Sequence, residues 1–218
     1  MEPEFCRMLP EGFSIHTARM RLQRVTVRAL SLMEEDAVRA ARELSDARVS
    51  VIGYGCTSGS LYKGMGQDVK IEARIEKISK APCVTTAGAV VSALKALGVN
   101  RVAIATPYTK RINELERRFL AANGFWIADL KGLGLVNNLE IGRQPPDVAY
   151  NLARQLRHTE ADAIFISCTN FRTIEFIEKL EQEIGKPVIS SNTSTLWAML
   201  RKVDLESRIQ GFGEIFSR

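Results

Sequence analysis

The sequence has few of the residues that build metal sites and disulfide frameworks. Two histidines, His16 and His158, and four cysteines, Cys6, Cys56, Cys83 and Cys168, are scattered over 218 residues, and no two cysteines are spaced C-x-x-C. A zinc site is therefore left without a ligand set, and no metal is expected. No apolar run approaches the ~18 residues of a membrane span. The opening Met1-Glu2-Pro3-Glu4-Phe5 lacks the basic and apolar regions of a secretory signal. A cytoplasmic chain with no membrane partner is the expectation, and its thiols are expected to be free. No low-complexity linker is present. With 45% hydrophobic and 25% charged residues and a mean hydropathy of −0.06, disorder and collagen-like architectures are excluded. The length suffices for one large α/β domain or two small lobes with proper cores.

Nucleotide-binding signatures are also missing. Gly53, Gly55 and Gly59 follow an apolar run but are spaced G-x-G-x-x-x-G, the next strand ends in Thr85-Thr86 without the required acid, and no Gly-Lys-Ser/Thr occurs. The net charge of +5 comes from 30 basic and 25 acidic residues that are interleaved, as in Glu34-Glu35-Asp36 beside Arg39 and Arg42. This is the pattern of solvated helix faces and not of a nucleic-acid groove. The surplus suits attraction of a small anion.

What is present is an alternation of strand and helix patterns. Strands are expected at 13–18, 48–54, 82–85, 101–105, 125–130, 161–167 and 187–190. Helices are expected at 27–47, 68–80, 87–97, 110–123, after Pro145-Pro146, at 171–184 and at 195–202, with Gly98, Gly124 and Gly185 as stops. A loop is expected over 55–66 and an irregular segment over 132–143. Such alternation predicts βαβ units and parallel sheet.

A faint internal repeat runs through this pattern. VSVIGYGCT, a helix, then APCVTTAGAVVSALKALG is echoed by ADAIFISCT, a helix, then GKPVISSNTSTLWAML. Cys56 and Cys168 occupy equivalent places 112 residues apart, each at the end of an apolar strand and each followed by Thr. The expected fold is two pseudo-symmetric Rossmann-like α/β lobes with parallel sheets, residues 1–95 plus 192–218 forming one and residues 96–191 the other. Ligands of open α/β sheets sit at the carboxyl ends of the strands, so the active site is expected between the lobes.

Two opposed thiols suit acid–base work on both faces of a carbon, or addition of one thiolate to an electron-poor carbon while the other thiol handles the proton. Cys168-Thr169-Asn170 is read as leading straight into a helix, whose N-terminus lowers a thiol pKa. Both routes pass through an enolate-like species that needs fixed donors. Candidates are Thr57, Ser58, Gly59 and Ser60, then Thr169 and Asn170, then Ser190, Ser191 and Asn192. The plainer reading of these residues is turn chemistry and helix capping. Cys6 and Cys83 read as structural residues.

MEPEFCRMLPEGFSIHTARM, VIGYGCTSGSLYKG, ATPYTKRIN, LVNNLEIGR and FISCTNFRTIEFIEKLEQEIGKPVISSNTSTLWAML together resemble the maleate cis–trans isomerase and arylmalonate decarboxylase family of the aspartate/glutamate racemase superfamily. The resemblance implies no metal or organic cofactor. It places the nucleophile that adds to the maleate double bond at Cys56 and the paired thiol at Cys168. It matches Thr57 and Ser58 to carboxylate donors, Tyr108 to a carboxylate-binding tyrosine and Asn138 to a binding asparagine. The decarboxylase branch typically has glycine at the first cysteine position, so Cys56 leans toward the isomerase or racemase side. Family members usually carry a strand and a P-S-S-N-T-type loop ahead of MEPEF, where this sequence starts. The resulting expectation is a cysteine-dependent isomerase converting maleate to fumarate, assembled as a homodimer or homotetramer. The alternatives are an amino-acid racemase or arylmalonate-type decarboxylase, and a non-catalytic carboxylate-binding protein.

Overall fold

The computed structural model describes residues 1–205 and 209–218. In chain order the elements are α1 (Glu2–Met8), α2 (Val27–Asp46), β1 (Ile52–Tyr54), α3 (Thr57–Leu61), α4 (Gln67–Ser79), β2 (Cys83–Thr85), α5 (Thr86–Ala96), β3 (Arg101–Tyr108), α6 (Lys110–Ala122) and β4 (Trp126–Leu135). They continue with α7 (Asn138–Arg143), α8 (Pro146–Arg154), β5 (Ala163–Ile166), α9 (Ile177–Ile184), β6 (Val188–Ser190) and α10 (Ser191–Lys202). β1 and β2 form a two-stranded parallel sheet, and a four-stranded sheet has the order β4-β3-β5-β6 with every pairing parallel. The α/β fold with parallel sheets expected from the sequence is what forms.

The central strands are apolar on both faces because helices cover both faces. Along β3, Val102 and Ile104 enter a core with Leu94, Phe119, Phe165 and Leu196, while Ala103 and Ala105 enter another with Leu30, Ile164, Phe171 and Leu180. The first core contains residues of both sheets, Ile52 and Cys83 beside Ile164 and Val188; the second sets Val90 of α5 and Leu196 of α10 with Phe165 and Ile189 of the four-stranded sheet. α10 returns from β6 to lie against α5, β1 and β2. The charge interleaving on α2 is solvated as expected. Arg39 bonds Asp36 at 2.8 Å and Glu43 at 2.6 Å on the outer face.

Four local expectations are corrected. Residues 13–18 form no strand: Phe13 is 41% exposed, and the nearest bridge on this stretch of chain is the isolated one between Arg24 and Asn137. The segment has the alternation of a strand but pairs with neither sheet and lines a cavity instead. The loop at 55–66 contains α3, and the segment at 132–143 contains the end of β4 and all of α7. The helix expected from residue 171 begins at Ile177, after turns over 169–176. There the backbone donors of Thr173 and Ile174 go to a side chain, Glu4, and not into a helical ladder.

Candidate active site

Both repeated cysteines stand at carboxyl ends of parallel strands, one per sheet. Cys56 follows β1 and caps α3, its Sγ accepting the Gly59 N–H at 3.3 Å and lying 3.8 Å from Ser58 Oγ. Cys168 follows β5 with φ +98°, a backbone state that costs a residue with a Cβ. That conformation is held by its N–H, which donates to Ser191 Oγ at 2.9 Å. The helix-end position expected at Cys168 belongs to Cys56 instead, because the chain turns after Cys168 before α9 starts.

The two turns are knitted together. Ser191 Oγ lies 2.8 Å from Thr57 Oγ1, so one buried hydroxyl touches both the Cys56 and the Cys168 turns. Thr169 Oγ1 donates to Gly55 O at 3.1 Å. Asn170 Nδ2 donates to Asn138 O at 2.7 Å and to Asn138 Oδ1 at 3.1 Å, while Asn138 Nδ2 donates to Leu22 O at 3.0 Å. Cys56, Ser58, Tyr108, Asn138, Cys168, Thr169 and Asn170 all line one cavity of about 850 Å³. The cavity continues along β1, past Ile15 and Met20, to Leu196 and Met199, where its walls are mainly apolar. Its polar end is the end that carries both sulfurs.

Not every expected donor reaches this space. Thr57 is buried with its hydroxyl committed to Ser191, which leaves its backbone as the part that could serve a ligand. Ser190 caps α10 in a capping box with Thr193, and Ser60 Oγ donates to Cys56 O and accepts from Ala87 N. Ser191 and Asn192 are buried among protein partners and are absent from the cavity wall. Capping and turn chemistry thus accounts for the hydroxyl cluster after β6. Cys6 is exposed, and Cys83 is buried inside β2, away from the cavity.

The electrostatics also differ from expectation. Burial raises the Cys56 thiol above its ordinary value of 9.0, against the opposing Gly59 and Ser58 bonds. Burial pushes Cys168 up to about 11, against a hydrogen bond from the Tyr108 hydroxyl. Tyr108 itself is held well above the ordinary phenol value by burial and by the two nearby sulfurs. The site at rest is therefore a pair of neutral thiols with a phenol that donates throughout the physiological range. The physical reason is a dry setting in which burial outweighs the hydrogen bonds made to either sulfur. Among the described residues, no cluster of three or more His, Cys, Asp or Glu side chains is placed to hold a metal ion.

Two acids not among the expected site residues lie behind the Cys168 turn. Glu116 on α6 is fully buried and accepts from Ser167 Oγ at 2.6 Å, next in sequence to Cys168. Its signal was legible, since it shares a helical stripe with Ile112, Phe119 and Leu120. Glu4 on α1 is 96% buried, being 4% exposed, and contacts the same turn from the other side.

A family model described as arylmalonate decarboxylase matches residues 1–216. The chain belongs to the arylmalonate decarboxylase family. Within it, the maleate isomerase of Pseudomonas putida is 33% identical over 230 residues, covering 100% of this chain and 92% of that protein. The crystal structure of a maleate isomerase from Pseudomonas putida S16, a cysteine-to-alanine variant with maleate, matches with a TM-score of 0.94 and 33% identity, covering 99% of this chain and 90% of that one. A cysteine-to-serine variant of the Nocardia farcinica maleate cis–trans isomerase, carrying a covalently bound succinylcysteine intermediate, matches with a TM-score of 0.93 and 31% identity, covering 98% and 90%. The resemblance carried by GCTSGS and SCTNFRT is thereby borne out over nearly the whole chain.

Proposed function

We propose that this chain is a maleate cis–trans isomerase working by cysteine addition and elimination. The observation that carries the reading is that Cys56 and Cys168, from different sheets, line one cavity together with Tyr108 and Asn138. The relatives named as maleate isomerases, one with a succinylcysteine intermediate, support it. In this reading the Cys56 thiolate forms a C–S bond to one alkene carbon. The π electron pair moves to the neighbouring carbon and into its carboxylate. The former double bond is now single and rotates. Return of the electron pair reforms the double bond in the trans arrangement and expels the thiolate, so no redox partner is consumed. Cys168 supplies and recovers the proton of the intermediate, and its bond from Tyr108 stabilises its thiolate.

The negative charge that develops needs donors already in place. Ser58, Tyr108 and the second amide hydrogen of Asn138, with the backbone N–H groups at Thr57, Thr169 and Asn170, are assigned to the two carboxylates, because the Thr169 hydroxyl is committed to Gly55 O and both Asn170 amide hydrogens to Asn138. The cross-bonded Asn138–Asn170 pair has its amides pre-set by each other and by Leu22 O. Decarboxylation of a substituted malonate needs a single proton donor to the carbanion, and a second opposed cysteine supports addition instead.

The test is incubation with maleate followed by proton NMR. Fumarate is expected to appear without cofactor, and Cys56→Ala is expected to abolish it. Solvent deuterium at an α-carbon of a chiral substrate in place of fumarate formation would assign a racemase. Tight dicarboxylate binding without turnover would assign a binding protein.

A further inference from the structure

The Cys168 turn is strained at its first residue, with φ +98°, and is followed by eight residues without regular structure before α9. A turn of this kind is fixed only by what it is bonded to. Most of the bonds that hold its distal part converge on one carboxylate. Glu4 Oε1 accepts the backbone N–H of Thr173 at 2.6 Å and of Ile174 at 3.3 Å. Both Glu4 oxygens lie 3.4 Å from Thr173 Oγ1. Glu4 Oε2 accepts Asn192 Nδ2 at 2.6 Å, and the same Nδ2 donates to Thr169 O at 3.1 Å. Glu4 therefore reaches the residue directly after Cys168 through one amide and the far end of the turn through two backbone donors.

This arrangement is costlier than packing alone requires. Glu4 is a carboxyl 169 residues away in sequence from Thr173, and it makes no side-chain ion pair with Lys, Arg or His among the described residues. Asn192 has both amide hydrogens committed on one side, which leaves its Oδ1 buried with no hydrogen-bond partner. Buried polar atoms are rarely left in that state. An apolar residue at either position would fill the space without the unpaired atom. What the pair does that an apolar pair would not is bond the Thr169 carbonyl, which the Met1 amino group also bonds at 2.7 Å, and the two amides, and through them hold the orientation of Cys168.

We propose that Glu4, acting through Asn192 and the 173–174 amides, is a positioning residue for the second thiol. It contacts neither cavity nor substrate; it sets where Cys168 Sγ and the Thr169 hydroxyl point. The inference deepens the proposed reaction and rests on that reading for its catalytic consequence. Its structural consequence can be read without any substrate.

The experiment compares the intact protein with Glu4→Ala and, where that variant folds poorly, Asn192→Ala, which removes the amide between Glu4 and Thr169 and leaves the bonds of Glu4 to the 173–174 amides in place. Each is treated with iodoacetamide, and modification of Cys56 and Cys168 is followed separately by peptide mass spectrometry. Loosening of the turn is expected to speed Cys168 alkylation about tenfold while Cys56 stays within about twofold. Equal acceleration of both thiols, or no change at Cys168, overturns the proposal. If maleate is turned over, kcat is expected to fall about 100-fold with KM within about twofold, the size of loss that a small misplacement of a reacting group brings. A loss confined to KM overturns it. Absence of maleate turnover in the unaltered protein counts against the proposed function alone, because the alkylation comparison stands without it.

Discussion

Glu116 makes the stability of this protein depend on pH in a direction opposite to that of most carboxylates. It is fully buried on α6, its Oε1 accepts from Ser167, and its Oε2 has no hydrogen-bond partner. Burial raises its carboxyl from an ordinary 4.5 to about 7, with the Ser167 bond pulling the other way. Below pH 4.5 the group is neutral in both the folded and unfolded chain and contributes nothing. Between 4.5 and 7 it ionises in the unfolded chain only, so folding loses stability as pH rises. Above about 7 the loss is complete. At about 1.4 kcal/mol per pH unit this amounts to about 3 kcal/mol in all, of which about 2.5 kcal/mol develops between pH 5 and pH 8.

Glu116→Gln keeps an acceptor for Ser167 and removes the titration. Urea unfolding of both proteins at pH 5 and pH 8 gives two stability differences in which the other titrating groups cancel. The variant is expected to gain about 2.5 kcal/mol on the wild type between the two pH values, whatever constant cost the unpaired amide adds. A difference that is the same at both pH values would refute the argument that burial without a charge partner sets this group.

Three further outcomes follow from the site and the core. Because burial raises both thiols above 9.0, the thiolate fraction at each grows about tenfold per pH unit across the neutral range; alkylation of Cys56 and maleate turnover should rise from pH 6.5 to 8.5, and a plateau below pH 7 would contradict this. Tyr108→Phe removes the bond that offsets burial at Cys168, so Cys168 alkylation at pH 8 should fall roughly three- to tenfold with Cys56 little altered, as followed by peptide mass spectrometry. Leu30→Ala, at a fully buried position against β1 and α4, should cost about 2–5 kcal/mol in urea unfolding.

Much of this architecture was legible because apolar periodicity and punctuation agree. Val27–Asp46, Gln67–Ser79 and Lys110–Ala122 fall within a residue of their expected bounds, and Gly185 ends α9 in the left-handed conformation that a glycine stop predicts. The strand-Cys-Thr repeat put Cys56 and Cys168 in one cavity because strand ends of parallel sheets converge on one side. The misreadings have a common cause in tertiary bonds that local pattern does not encode. Residues 171–176 have helical periodicity, yet the amides of Thr173 and Ile174 are taken by Glu4 from the far end of the chain. Phe13 and Ile15 alternate like a strand but line the cavity wall and pair with no strand. The lowered thiol pKa expected at a helix end does not form, because helix position is visible in sequence and dryness is not. Glu116 was readable from its place in the α6 stripe, while the bridging role of Ser191 between Thr57 and Cys168 belongs to three-dimensional proximity alone.

The central claim is that sulfur 56 attacks and sulfur 168 serves the proton. Its most direct test is intact and peptide mass spectrometry of the Cys168→Ala protein after brief exposure to maleate. The account predicts accumulation of a single adduct with the mass of one maleate, mapped to Cys56, and no adduct on the Cys56→Ala protein. An adduct mapped to Cys168, or fumarate produced by a protein lacking Cys56, would contradict it.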